Sequence, residues 1–199
     1  MRFDARNAAR EQALPAARRS VRASANAIRA IHRSEMDRAR ELIAESRVAL
    51  DEGMASVRDH PEVGFAGYLQ DAQKEYAEAN VTLALIEDAV LPGPDSLDVG
   101  DAPFLNGVAE AIGEGRRHVL DLLRAREVER AETMLDSLED LYGLLVTIDY
   151  PDAITMNLRR TTDVARSLIE KTRGDLAIAF AQHDMREALE RHARQIGRT

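Results

Sequence analysis

Four glutamates are placed where they could do chemistry together. In QKEYAEANVT, residues 73–82, Glu75 and Glu78 stand three apart. In a helix of 3.6 residues per turn they are separated by about 60° around the axis and project on one side, one turn apart. Glu110 and Glu114, in AEAIGEG, stand four apart and lie closer still in direction. Two helices each offering such a pair would, face to face, build a four-carboxylate oxygen cluster suited to a hard cation such as Mg²⁺ or Mn²⁺. A cluster of that kind supports metal-assisted hydrolysis of a phosphodiester. Spacing alone leaves the plainer reading open, because glutamate is common on solvated helix faces and Glu75 and Glu78 border an apolar stripe.

Other chemistries lack their residues. A di-iron helical bundle needs Glu-x-x-His, and none of the five histidines (32, 60, 118, 183 and 192) follows a glutamate by three. Neither a Ser-His-Asp nor a Cys-His arrangement is indicated, and the chain contains no P-loop and no glycine-rich dinucleotide loop. His32, within AIHRSE, reads as a partner for a neighbouring helix or backbone group, or alternatively as an RNA contact.

The elements that must position these groups are helices. Apolar residues recur at helical spacing nearly everywhere, and strand-like alternation is missing. Val21, Ala25, Ile28 and Ile31 mark a first helix ending near Arg33, started or bent at Pro15. Ser34 reads as the N-cap of a second helix running to about Asp59. Phe65, Leu69, Ala72, Tyr76, Leu83, Ile86 and Val90 form the stripe of a third, which carries Glu75 and Glu78. The stretch 91–103, with three prolines and two glycines, reads as the one clear loop. Beyond it Phe104 to Leu122 define a fourth helix and Ala131 to Leu145 a fifth. Pro151 opens a sixth, which Gly174 either bends or divides. The expectation is an all-α bundle of six or seven helices forming a single domain over residues 1–199.

Charge patterning bears on partners. The net charge of −8 argues against an outer surface that binds nucleic acid. Met1 to Arg33, however, holds eight arginines against Asp4 and Glu11, so this segment carries +6 and the remainder −14. A basic first helix on an acidic body is either a solvated, ion-paired face or a hidden nucleic-acid surface. With no cysteine, no apolar run long enough to span a bilayer and a charged N-terminal stretch, a cytoplasmic protein is expected.

Four segments carry a family resemblance. AIRAIHR (27–33), EYAEA (75–79), GEGRRHVLD (113–121) and DYPDAITMNLRRTTDVARSLIEKTRGDL (149–176) resemble the translin family, in particular its archaeal members and the branch of translin-associated factor X (TRAX). The resemblance implies an all-helical subunit that assembles into a hollow homo-oligomer, usually of eight copies, enclosing single-stranded RNA or DNA. In the TRAX branch it also implies a Mg²⁺-dependent endoribonuclease, with Glu75 and Glu78 matching that branch's Glu-Tyr-x-Glu-Ala motif. Its Asp-x-x-Gly-Glu pattern falls on Glu110 and Glu114 with Gly113 in place, and Glu110 departs from it by one methylene. Arg29, His32, Arg33, Arg117 and Arg160, with Arg116 and Arg159 as further candidates, would then hold the nucleic-acid backbone. Without catalysis, the same resemblance implies a nucleic-acid-binding shell.

Overall fold

The computed structural model describes residues 2–196. Among them are six helices of 18 residues or more: α1 (Arg2–His32), α2 (Met36–Ser56), α4 (Gly67–Ile86), α6 (Asp101–Ala125), α7 (Val128–Leu145) and α9 (Leu158–Ile196). Three four-residue helices, α3 (Pro61–Gly64), α5 (Pro94–Leu97) and α8 (Asp152–Thr155), punctuate the connections. The all-α expectation holds, with six long helices.

α1 and α2 pack through small residues. Ala13, Ala16, Ala17, Ala23, Ala27 and Ala30 of α1 are buried, as are Ala39, Ala49 and Gly53 of α2. Small side chains let two helix backbones approach, and the polar ones among them must be paired to be tolerated. Ser46 Oγ lies 2.8 Å from both Ser20 Oγ and Ser24 Oγ, which meets that requirement inside the interface.

α4 is the central helix. It is buried against α1 and α2 by Leu69, Ala72, Tyr76 and Ala79, and against α6 by Val81 and Leu85. α6 carries Val108, Ala111, Ile112, Val119 and Leu122 into a second apolar layer shared with α7 and α9. Ile86 and Phe104 border both layers. From residue 181 onward every described residue of α9 is exposed, so the end of this helix projects from the rest of the chain.

Several sequence expectations are corrected, mostly at helix ends, where local signals compete with packing. Pro15 does not start a helix: α1 runs through it from Arg2 to His32. Ser34 is not an N-cap. It takes the left-handed conformation (φ 60°) that ends α1, and Glu35 caps α2 without a side-chain hydrogen bond. α2 stops at Ser56.

The stripe from Phe65 to Val90 contracts to residues 67–86, with Phe65 and Val90 79% and 95% exposed beyond its ends. The connection expected over 91–103 contains α5, and α6 already begins at Asp101, with Pro103 in its first turn. Pro151 caps only the single turn of α8. Met156 and Asn157, at φ 55° and 68°, then reverse the chain into α9. Gly174 does not divide α9, which is continuous through it.

Candidate functional site

α4 and α6 cross at Gly107. A Cβ there would lie 2.7 Å from the Lys74 carbonyl oxygen and 3.0 Å from both Ala77 Cβ and Glu78 N. Glycine at this point lets the α6 backbone lie against that of α4, and one turn further along α6 is Glu110. Replacing Gly107 by alanine meets backbone atoms that cannot rotate away. The helices must part, at a cost of about 1–3 kcal/mol, lowering the melting temperature by roughly 3–10 °C. Thermal unfolding followed by circular dichroism checks this, and an unchanged or higher midpoint would show that the helices separate freely.

The close crossing brings together oxygens of Glu75, Glu78 and Glu110, one from each carboxylate, all within 4.8 Å of one another. Glu78 is 8% exposed, and none of the hydrogen bonds among the described residues reaches its carboxylate. Burial, and then the charges of Glu110, Glu75 and Glu114, push its pKa up to about 8. Burial raises Glu75 as well, against the pull of Lys74.

Lys74 supplies the positive charge of the cluster. Its Nζ donates to both Glu110 oxygens at 2.7 Å and lies 3.4 Å from Glu75 Oε1. Burial works against this ammonium, but the hydrogen bonds and charge of Glu110, with help from Glu75, hold its pKa above the usual lysine value. None of the sequence motifs singles out Lys74, although its rarity is a signal: only two lysines stand among 27 basic residues.

Glu114 sits outside the triplet. Seven residues beyond Gly107, it is about 10 Å further along α6. Its carboxylate turns to α1, where His32 Nε2 lies 2.5 Å away. The hydrogen bond with His32 is the main cause of its lowered pKa, and Arg117, 3.9 Å away, adds to it. The His32 side chain is 3% exposed and its Nδ1 is buried without a partner, so the ring faces a carboxylate and not an open surface.

The basic candidates divide by what already engages them. Arg116 donates to Thr172 and Asp175 at 2.8 Å each, and Arg159 pairs with Asp149 at 3.1 Å. Arg29 is exposed and bonded to the neutral side chain of Asn26. Arg33 and Arg160 are exposed, and no ion pair among the described residues involves either.

Lys74 and Glu110, at one side of the cluster, wall a cleft of about 190 Å³ together with Asn106, Asn157 and Thr161. Asn106 builds its far side, donating to the Thr155 carbonyl at 2.8 Å and accepting from Thr161 Oγ1 at 2.7 Å. The DYPDAITMN segment is thereby fastened beside the acidic cluster. Two of the larger grooves, of about 770 and 750 Å³, are lined by α1 with α2 and by the α2–α3 region with Asp98 to Gly100, and neither reaches the carboxylates.

No protein-family model matches the chain. It is 32% identical over 188 residues to an uncharacterized protein of Methanocaldococcus jannaschii, in an alignment covering 94% of this chain and 83% of the relative. Among solved structures, AfC3PO in complex with duplex RNA superposes with a TM-score of 0.85 at 32% identity, over 91% of this chain and 94% of that one. The crystal structure of AfC3PO gives 0.84 over the same shares, also at 32% identity. Apo-NeC3PO gives 0.80 over 89% and 93%, and at 20% identity this likeness speaks to the fold alone.

Proposed function

This chain belongs to the translin family, alongside the C3PO proteins it matches in sequence and fold, and on that premise we propose that it is an RNA-binding, Mg²⁺- or Mn²⁺-dependent endoribonuclease. The observation that carries the reading is the meeting of Glu75, Glu78 and Glu110, from two helices, at a close crossing where a side chain in place of Gly107 would meet backbone.

The donor set fits a hard divalent ion: three carboxylates within reach of one another, one of them buried with no hydrogen bond among the described residues, and a cationic group already among them. Glu75, Glu78 and Glu110 would hold the ion, with Glu114 adding negative charge from one turn further along α6. A divalent ion supplies Lewis-acid stabilisation of the charge that develops on a phosphodiester attacked by water. Glu78, the buried member of the three, is the carboxylate we assign to accept the proton of the attacking water.

RNA is the proposed substrate, on the family likeness and on the exposed cations. Single strands are the expected form and single-stranded DNA a further ligand, although the relative AfC3PO was solved with duplex RNA. Arg29, Arg33, Arg117 and Arg160 would hold phosphates, while buried His32 orients Glu114. Replacing Arg33 and Arg160 together by glutamine is expected to weaken RNA binding, lowering the slope of log affinity on log salt by about 1 for each phosphate no longer neutralised. An unchanged slope would remove both residues from the interface.

Assembly into a homo-oligomer, an octamer on the family pattern, is part of the same proposal. Ile178, Met185, Leu189 and Ile196 are exposed along the second half of α9. Their steps of seven, four and seven residues make a seam of the kind that pairs with another helix.

A second reading, an RNA-binding protein that does not cleave, is favoured by one observation: the Lys74 ammonium already neutralises part of the cluster. Incubation of end-labelled single-stranded and duplex RNA with the protein in Mg²⁺, Mn²⁺ or EDTA decides between them. Cutting that needs the metal is the expected result, and RNA retained uncut under every condition would establish the second reading.

A further inference from the structure

Twenty-five arginines and two lysines supply the fixed positive charge of this chain. Lys171 is exposed, whereas Lys74 points its ammonium into the acidic cluster, on both oxygens of Glu110 and near Glu75. We propose that Lys74 is a displaceable internal counter-ion: its ammonium holds the carboxylate oxygens that a divalent cation would take, so metal loading requires the side chain to leave and this competition sets the metal affinity. The inference rests on the metal-binding reading of the site.

Three observations support it. The ammonium occupies both Glu110 oxygens at 2.7 Å, and a divalent cation approaching the same oxygens would meet a like charge at short range. The residue type is suited to release: lysine presents a compact charge on a flexible stem, whereas arginine would grip Glu110 with a rigid two-pronged fork. In a chain that uses arginine at 25 of 27 basic positions, lysine stands at the one that must let go. There is also somewhere to go. Lys74 already lines the polar cleft of about 190 Å³, together with Asp71, three residues earlier on the same face of α4, and with Asn157 and Thr161.

The consequence is a metal-free state whose charge is partly balanced from within and a metal-binding threshold higher than three bare carboxylates would give. Manganese titration, with free Mn²⁺ read by electron paramagnetic resonance at fixed pH and ionic strength, tests this on the native chain, Lys74→Met, Lys74→Gln and Glu78→Gln. The neutral Lys74 variants are expected to bind Mn²⁺ about tenfold more tightly than the native chain, since a like charge a few ångströms away is removed. Glu78→Gln is expected to bind weakly.

Equal or weaker binding by the neutral variants, while native binding depends on Glu78, would overturn the counter-ion role and leave the metal site standing. Absence of Mn²⁺ binding in every protein would overturn the metal site and the counter-ion together. Lys74→Arg covers the case in which the neutral variants fail to fold. Keeping the charge in a stronger grip, it should bind Mn²⁺ less tightly than the native chain, and equal or tighter binding would refute the proposal.

Discussion

Glu78→Gln is expected to lower metal-dependent RNA cleavage by about a hundredfold or more while leaving RNA binding within about twofold. Glutamine preserves the volume of a residue that is 8% exposed at the α4–α6 crossing, so packing is little disturbed. It removes one anionic ligand atom and the proposed proton acceptor in a single step. RNA affinity should persist because the exposed arginines proposed to hold phosphates lie elsewhere, on α1 and the turn that follows it, on α6 and in the first turn of α9. Single-turnover cleavage of end-labelled RNA, with binding measured in EDTA, separates the two effects. Full activity in the variant would place any cutting outside this cluster, and joint loss of binding and cleavage would identify Glu78 as a structural residue.

The same substitution is expected to stabilise the metal-free protein, increasingly so at high pH. Unfolded, the Glu78 carboxyl ionises above about pH 4.5, whereas in the folded chain burial and its acidic neighbours hold the proton until about pH 8. A raised folded-state pKa contributes stability that is complete below the unfolded pKa and is lost as the pH climbs through the folded one. For Glu78 the loss spans pH 4.5 to 8 and amounts to a few kcal/mol. Glutamine cannot ionise and escapes it. Calorimetry in EDTA should therefore find the native chain and the variant melting together near pH 4.5, and the variant ahead by roughly 10 °C at pH 9. A gap that does not change with pH would show that the carboxyl ionises as easily folded as unfolded. Divalent metal should narrow the gap in the native chain, because a ligand that binds only the folded state stabilises it. Taken together, the two expectations describe a residue retained at the expense of stability, which is common for groups that do chemistry.

The features legible in the sequence are local ones. Periodicity yields the helices, because one face of each must be apolar to pack. The spacings of Glu75 with Glu78, and of Glu110 with Glu114, are fixed to within a turn by helix geometry alone. Helix ends are less legible: Ser34 has the chemistry of an N-cap and instead adopts a left-handed turn, since the ending of α1 and the docking of α2 decide its backbone. Which carboxylates meet is settled by packing. The crossing point at Gly107 depends on how two helices separated by the α5 connection come together, and nothing in either helix's own pattern specifies it. One turn from that point Glu110 joins Glu75 and Glu78, and two turns from it Glu114 goes to His32. Lys74 follows the same logic. Its place beside Glu75 is plain in the sequence, but its role as the cluster's cation exists only because α6 brings Glu110 within 2.7 Å of its ammonium.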